Sequence, residues 1–448
     1  MLIQKQRPHP NSQNYGINLI AFSEIRMTEL TSICEGFFFS ARKFFIPGVS
    51  NIVAKRFFEL LQTGHYQWDD NQHGLLKTLY MSRYQDSEDM RSLTSALDTC
   101  GFFEYCEHRQ FNGLHDVHSL LRYLIARNYR DERLLSKCAA VFDQAVKDDM
   151  FTDRRSKDVS RSLLYFAQLG FRLDARILQT VIEYYRDLCL PIMKESFGVS
   201  LLQFLDAASL NGVYPRDIID AFFRSDLVQV QRGNLPGMTG QAAFGNPWED
   251  LLRFDEMIGI LLPDYDGARL PKRTVDVARK FVKSGTPTDD DLAFAVCLDD
   301  AISKVLSPGS RQGGGRKGSQ FVSIDDHSSL LTPQSTRNDE IDLNFVLKLD
   351  QNNRPISTSN KSFKFKGKNK KLRQISIQLL RREHYLLDPR GELTLKPEVK
   401  RFHECLAKLG FEVVVVGFRR RQASGDAAVA DKVVRDILKQ GNAGSVGR

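Results

Sequence analysis

The chain has 448 residues, with 63 Lys and Arg against 55 Asp and Glu for a formal net charge of +8, and 42% of its residues are hydrophobic. That length supports two or more domains with their own cores, and that hydrophobic share excludes a chain dominated by disorder. The seven cysteines (Cys34, Cys100, Cys106, Cys138, Cys189, Cys297 and Cys405) are odd in number and form no C-x-x-C pair. They argue against a disulfide framework or a cysteine zinc site and fit a reducing compartment.

Residues 1–29 form an N-terminal segment. Its first 26 residues carry Lys5, Arg7 and Arg26 against the single acid Glu24, a composition with some mitochondrial presequence character, with an ordinary frayed terminus as the alternative. From residue 30 to 306 apolar residues recur at three- and four-residue spacing, as in Leu163, Phe166, Ala167 and Gly170, which predicts helices throughout. Leucine pairs at 75–76, 120–121, 163–164 and 201–202 are spaced by 45, 43 and 38 residues and are read as helix starts. Helix–turn–helix units of that length bury their faces by stacking, so an α-solenoid-like repeat array is expected, with an irregular helical bundle as the alternative. His115 and His118 make an H-x-x-H pair with no further ligand at zinc spacing, so no metal site is expected.

Residues 307–340 are rich in Gly and Ser and predict a flexible linker. Its GGGRKGS run lacks the order and the strand–helix context of a phosphate-binding loop. Residues 341–440 change character. Strands are expected over 341–349, 372–380 and 411–416, and helices over 397–409 and 431–439, with Gly410 as a left-handed helix stop. Residues 441–448 are a tail. No apolar run approaches the roughly 20 residues of a membrane span; the segment from Phe411 to Phe418 contains Glu412 and is strand-length.

The charge is unevenly placed. Residues 341–448 hold 23 Lys and Arg against 11 Asp and Glu, whereas the rest of the chain holds 40 against 44. The run from Lys361 to Arg373 has seven basic residues in thirteen, with Phe363 and Phe365 between them. Basic side chains neutralise phosphates and aromatic rings stack on unpaired bases, so the candidate RNA contacts are Lys364, Lys366, Lys368, Lys370, Lys371 and Arg373. Arg381 and Arg382 after the second strand, and Arg419, Arg420 and Arg421 after the third, join them at neighbouring strand ends. A solvated, lysine-rich loop is the competing account of the lysine run. No serine-hydrolase elbow, dinucleotide fingerprint or kinase loop is present. A metal-dependent nuclease would need paired carboxylates; Asp342 and Asp350 are the candidates, but Gln374–Gln378 offers no acidic partner. No catalytic residue and no cofactor are therefore assigned.

HYLLDPRGELTLKPEVKRFHECLAKLGFEVVVVGF (384–418) resembles the RAP domain through Tyr385, Gly391, Lys400, Arg401, Leu406, Gly410, Phe411 and Val413 to Val416. LLRFDEMIGILLPDYDGARLP (251–271) and IDLNFVLKLDQNNRPI (341–356) are similar to segments of the FAST kinase domain-containing family, in which a RAP domain ends a helical region. The resemblance implies a small α/β RAP domain with a restriction-endonuclease-like core. It also implies a protein of the mitochondrial matrix that binds single-stranded transcripts and acts in their processing, stability or translation. Where the family has Glu-Trp after the last strand, this chain has Arg419-Arg420, which counts against cleavage. An RNA endonuclease and a protein-interaction scaffold are the alternatives. Two local expectations follow from the residues: that 341–448 binds RNA on its own, and that Asp264, Tyr265 and Gly267 form a structural turn. In that turn Pro263 stops the helix and Gly267 takes a positive φ.

Overall fold

The computed structural model describes residues 25–39, 47–63, 67–69, 75–76, 87–147, 156–189, 198–228, 247–281, 289–306, 322–325, 344–351, 354–356, 372–417 and 425–443. The chain is mostly helical, with a small sheet region near its C-terminus. It divides into two compact units, Met1–Arg127 with Asp131–Met150, and Asn128–Arg130 with Phe151–Arg448. Among the described residues, no helix is long and apolar enough to cross a membrane.

The first unit contains α1 (Met27–Phe39), α2 (Pro47–Gln62), α3 (Ser87–Thr99), α4 (Phe102–His108), α5 (Gln110–Arg127) and α6 (Glu132–Lys147). Its core is aromatic: Trp68 meets Phe102 edge to face at 4.8 Å and Phe57 at 6.4 Å, the geometry that ring quadrupoles favour. Asp131 opens α6 by accepting from the backbone N–H groups of Arg133 and Leu134, and its other oxygen accepts from the Thr94 hydroxyl on α3 at 2.8 Å. A cap is thereby also a tie between two helices.

In the second unit α7 (Ser156–Gln168), α8 (Ala175–Tyr184), α9 (Gly198–Leu210), α10 (Arg216–Arg224), α11 (Pro247–Leu261), α12 (Lys272–Phe281) and α13 (Asp289–Leu306) follow one another. The turns α7–α8 and α9–α10 share a pattern: Gly170 and Gly212 adopt φ of 68° and 75°, stop the first helix, and give way to Asp174 and Pro215 at the start of the next. Two of the leucine pairs do not begin helices as expected: Leu120-Leu121 lies inside α5 and Leu163-Leu164 inside α7, with Leu120, Leu121 and Leu163 buried. Capping residues mark helix ends, and apolar pairs mark the widest buried face.

The sheet has the order β1-β2-β3-β6, from β1 (Val322–Asp325), β2 (Asn344–Leu349), β3 (Arg373–Leu380) and β6 (Phe411–Gly417). The first two pairings are antiparallel; β3 and β6 are parallel, with Gln374 opposite Phe411 and Leu380 opposite Gly417. Between them come the hairpin β4 (Tyr385–Leu387) and β5 (Leu393–Leu395) and the crossover helix α14 (Pro397–Lys408). Gly410 ends α14 with φ of 92°, as expected. The last helix is α15 (Asp426–Ala443), which begins five residues before the expected start.

Period-two alternation decides the two faces. Phe345, Leu347, Leu349, Ile375, Ile377 and Leu379 pack against α13 and α15, whereas Val346, Phe411 and Val413 pack against Phe402 and Leu406 of α14. Two boundaries therefore shift. Residues 322–325 of the expected linker form an edge strand, and α13, expected in the helical region, supplies Phe294, Leu298 and Ile302 to the sheet's core. An amphipathic helix announces a buried face but not the element that covers it. The other linker residues lie outside the described residues.

Candidate nucleic-acid interface

The parallel pairing of β3 and β6 makes the chain leave both strands at one end of the sheet. Leu380 is followed by Arg381 and Arg382, and Gly417 leads within two residues to Arg419. Carboxyl ends of parallel strands are the usual binding edge of open α/β sheets. Arg419, Arg420 and Arg421 themselves lie outside the described residues, as do Lys364, Lys366, Lys368, Lys370 and Lys371.

Arg381 and Arg382 belong to a short 3-10 turn, Arg382–His384, between β3 and β4. The Arg381 amide donates to the His384 ring at 2.7 Å, the His384 amide donates back to the Arg381 carbonyl at 3.2 Å, and an Arg382 guanidinium nitrogen donates to the Tyr385 carbonyl at 3.1 Å. Tyr385 reaches over Gly417, where a Cβ would stand 3.1 Å from its hydroxyl, so the turn and the end of β6 adjoin.

Arg373 has a different role from the one expected of it. Its guanidinium forms a two-pronged pair with Glu412 on β6, both bonds at 2.7 Å, and donates a third bond to the Ile437 carbonyl of α15 at 3.0 Å. At the opposite end of β3 from Arg381, it ties two strands and a helix together. The carboxylate positions also resolve. Asp350 accepts from the Arg354 amide at 2.8 Å and so holds a turn. Ser376 and Gln378, buried on the α14 face of β3, bond to each other at 2.8 Å. Asp342 lies outside the described residues, and among the described residues no group of three or more His, Cys, Asp or Glu is arranged to hold a metal ion.

A second cluster escaped the sequence reading. Arg401 of α14 pairs with Asp206 of α9 at 2.8 Å and donates to the Ser209 hydroxyl; Arg253 of α11 approaches the other Asp206 oxygen at 3.9 Å and binds Asp250 at 2.8 Å. The Asp206 and Arg401 side chains retain only 14% and 10% of their exposure. Lys408 donates to the Leu261 carbonyl at 3.2 Å. These bonds fasten α14 to the helices around it. The signal was present, since Asp206 is a lone acid in the apolar helix of Leu201–Leu210, and an ion in such a place needs a partner.

The 251–271 segment is closed in the same way. Arg269 forks onto Asp255 at 2.8 and 3.0 Å, and Asp255 also accepts from the Leu270 amide at 3.1 Å. Asp264 pairs with Arg216 at 2.6 Å. The expected turn is therefore a structural one, with one correction. Gly267 is outside the positive-φ region; it is small because a Cβ there would fall 2.5 Å from the Tyr265 ring, whose hydroxyl donates to the Ala268 carbonyl at 3.1 Å.

No protein-family model matches the chain, and no curated protein matches it.

Proposed function

We propose that this chain is a non-catalytic RNA-binding protein of the FAST kinase domain-containing type. In this reading the helices form a solenoid-like array, and the α/β part is a RAP domain with a restriction-endonuclease-like core that grips the phosphate backbone of single-stranded RNA. The observation that carries the reading is the parallel pairing of β3 and β6, which sends Arg381-Arg382 and the chain towards Arg419–Arg421 out of the same end of the sheet. Arginines that follow two neighbouring strand ends in the sequence suit phosphate, because a guanidinium offers a planar fork of donors. The resemblance to that family supports the mitochondrial matrix as the compartment and transcript processing, stability or translation as the role.

The test uses the full chain and a labelled single-stranded RNA across a salt series. Each phosphate contact made releases counterions and steepens the fall of affinity with salt, so neutralising several phosphates gives a strongly negative slope. The double substitution Arg381→Glu with Arg382→Glu is expected to weaken binding at least tenfold and flatten that slope. Binding indifferent to salt, or untouched by the double substitution, overturns the reading. Cell fractionation of a C-terminally tagged chain tests the compartment.

A further inference from the structure

The first turn of α14 stands at the same end of the sheet as the Arg381–Arg382 turn. A helix that crosses between two parallel strands starts where the first strand stops, and the Lys396 amide, just before α14, donates to the His384 carbonyl at 3.0 Å. Two further segments of the second unit close on this point. The position a Cβ would take on Gly170, in the α7–α8 turn, is 3.5 Å from the Pro397 ring and 3.6 Å from an Arg130 guanidinium nitrogen. The Arg130 amide in turn donates to the carbonyl of Leu387, the last residue of β4, at 2.8 Å. The α7–α8 turn, the start of α14 and the end of β4 therefore meet beside the strand edge.

Cations gather at that meeting point. Arg172 follows Gly170 by two residues, Lys400 follows Pro397 by three, and Arg390 follows Leu387 by three. All three are exposed, and none forms an ion pair among the described residues. Arg130 and Lys396 stand at the contacts themselves. Three residues of chain span at most about 10 Å, close to the Debye length at physiological salt, so neighbouring charges reinforce one another. Most of the acids nearby are already engaged. Asp388 accepts from the Arg390 and Glu392 amides and holds the β4–β5 turn. Asp174 pairs with Arg176 at 2.7 Å. The Glu398 Oε2 is enclosed, and burial raises its carboxyl. Glu404 lies one turn beyond Lys400, away from the Pro397 end of α14. Glu383 and Glu392 remain, and they are outnumbered.

We infer that this junction is a second phosphate-binding surface, which continues the strand edge across the first turn of α14 to the α7–α8 turn and holds the backbone of the same single-stranded RNA. Arg172, Arg390 and Lys400 supply the donors. Arg130, laid against Gly170, and Lys396, tied by its amide to the turn of His384, add charge at fixed positions. The identity of the polyanion rests on the reading of the strand edge as an RNA contact. The surface does not. It escapes the sequence because its cations are scattered from residue 130 to residue 400, and only the fold gathers them.

The test uses the full chain and a labelled oligouridylate across a salt series. Single-stranded binding loses about 0.7 in slope for each phosphate contact removed. For a strand of about 20 nucleotides, Arg172→Glu, Arg390→Glu and Lys400→Glu together are expected to flatten the slope by about two and to weaken binding by about tenfold or more. The same reversal at Lys55, Lys280 and Lys432, exposed cations on α2, α12 and α15, controls for total charge and is expected to change affinity less than about threefold. An unchanged slope in the first triple variant, or equal losses in the two, overturns the surface. Arg381→Glu with Arg382→Glu separates it from the strand edge. If that double variant binds as wild type does while the Arg172 variant fails, the junction stands and the edge falls; the reverse result keeps the edge and overturns the junction. Polyglutamate that displaces the RNA from wild type at equal concentration would make this a surface for acidic protein and overturn its assignment to RNA. Where reversal disturbs folding, as circular dichroism shows, glutamine at the same three positions removes the charges and is expected to flatten the slope in the same way.

Discussion

Arg401 and Asp206 face each other at 2.8 Å in a setting where neither side chain keeps more than 14% of its exposure, and Asp206 alone also faces Arg253. One carboxylate thus balances two cations, while each cation has more than one partner. Breaking a buried pair leaves an uncompensated charge and costs roughly 3 to 5 kcal/mol. Asp206→Ala is expected near the upper end of that range. Arg401→Met, which leaves Asp206 beside Arg253, is expected to cost less. Urea denaturation of both variants checks this, and the reverse order would remove Asp206 from the centre of the cluster.

Tyr265 and Gly267 supply a second test. The methyl added by Gly267→Ala would sit 2.5 Å from the Tyr265 ring, closer than van der Waals contact allows, so the ring must move and give up its bond to the Ala268 carbonyl. Overpacking and the lost hydrogen bond together predict a loss of about 2 kcal/mol for this substitution. Made on top of Tyr265→Ala, the same change should cost almost nothing. Thermal melts of the two single variants and the double variant measure this coupling; additive losses would count against it.

These two cases show where the sequence was legible. Pro263 announces a turn and Gly410 a helix stop, because both are local backbone requirements, whereas Gly267 is small to clear the Tyr265 ring. Contacts distant in sequence announce themselves poorly. Asp206 and Arg401 are 195 residues apart, and nothing in either helix names the other. The four valines of β6 read as a buried strand, yet Val415 is 40% exposed. Among the described residues β6 is an edge strand, and the run does not say on which side its partner stands. Of the candidate RNA contacts, the arginine pair at 381–382 follows a strand that could be found from alternation. Arg373, in the same basic run as the lysines, proved to be an internal tie because its partner Glu412 belongs to a strand 39 positions on.

The core shared with α13 bears on dissection of the chain. Residues 341–448 omit Phe294, Leu298 and Ile302, each fully buried against the sheet. Full burial of each such side chain is worth about 1.5 to 3 kcal/mol, so their loss removes on the order of 5 kcal/mol or more from a domain whose total stability is of similar size. The 341–448 fragment is expected to show no cooperative unfolding transition by circular dichroism, and a fragment beginning at residue 286 to show one. A sharp transition in the shorter piece would mean that α13 is dispensable.

The two basic runs differ in how they meet a polyanion. Arg419, Arg420 and Arg421 begin two residues after the last residue of β6, whereas Lys364, Lys366 and Lys368 stand at least five residues from any described strand. A cation close in sequence to a fixed strand end loses less freedom on binding than one farther from it, and arginine grips phosphate with a fork where lysine offers a point charge. Reversal of the three arginines to glutamate is expected to weaken RNA binding by about tenfold more than reversal of the three lysines. Equal losses, with both variants shown folded, would mean that only total charge matters.

Glu398, in the first turn of α14, gives a pH test. Its Oε2 is enclosed and has no hydrogen-bond partner among the described residues, and burial raises its carboxyl above the usual range despite Lys396 and Arg401 nearby. The native state therefore holds this proton to a higher pH than the unfolded chain does. Between the ordinary glutamate range and the raised native value the folded protein binds more protons, so stability from this group is full below about pH 4 and is lost as pH rises through that window. Glu398→Gln keeps the shape and removes the charge. The variant should melt higher than wild type near pH 7, and the difference should shrink towards pH 4, apart from any small change in hydrogen bonding. Melting curves of the two proteins across pH 4 to 8 decide it. A variant that melts lower at neutral pH would mean that Arg401 and Lys396 draw more from the Glu398 charge than its burial costs.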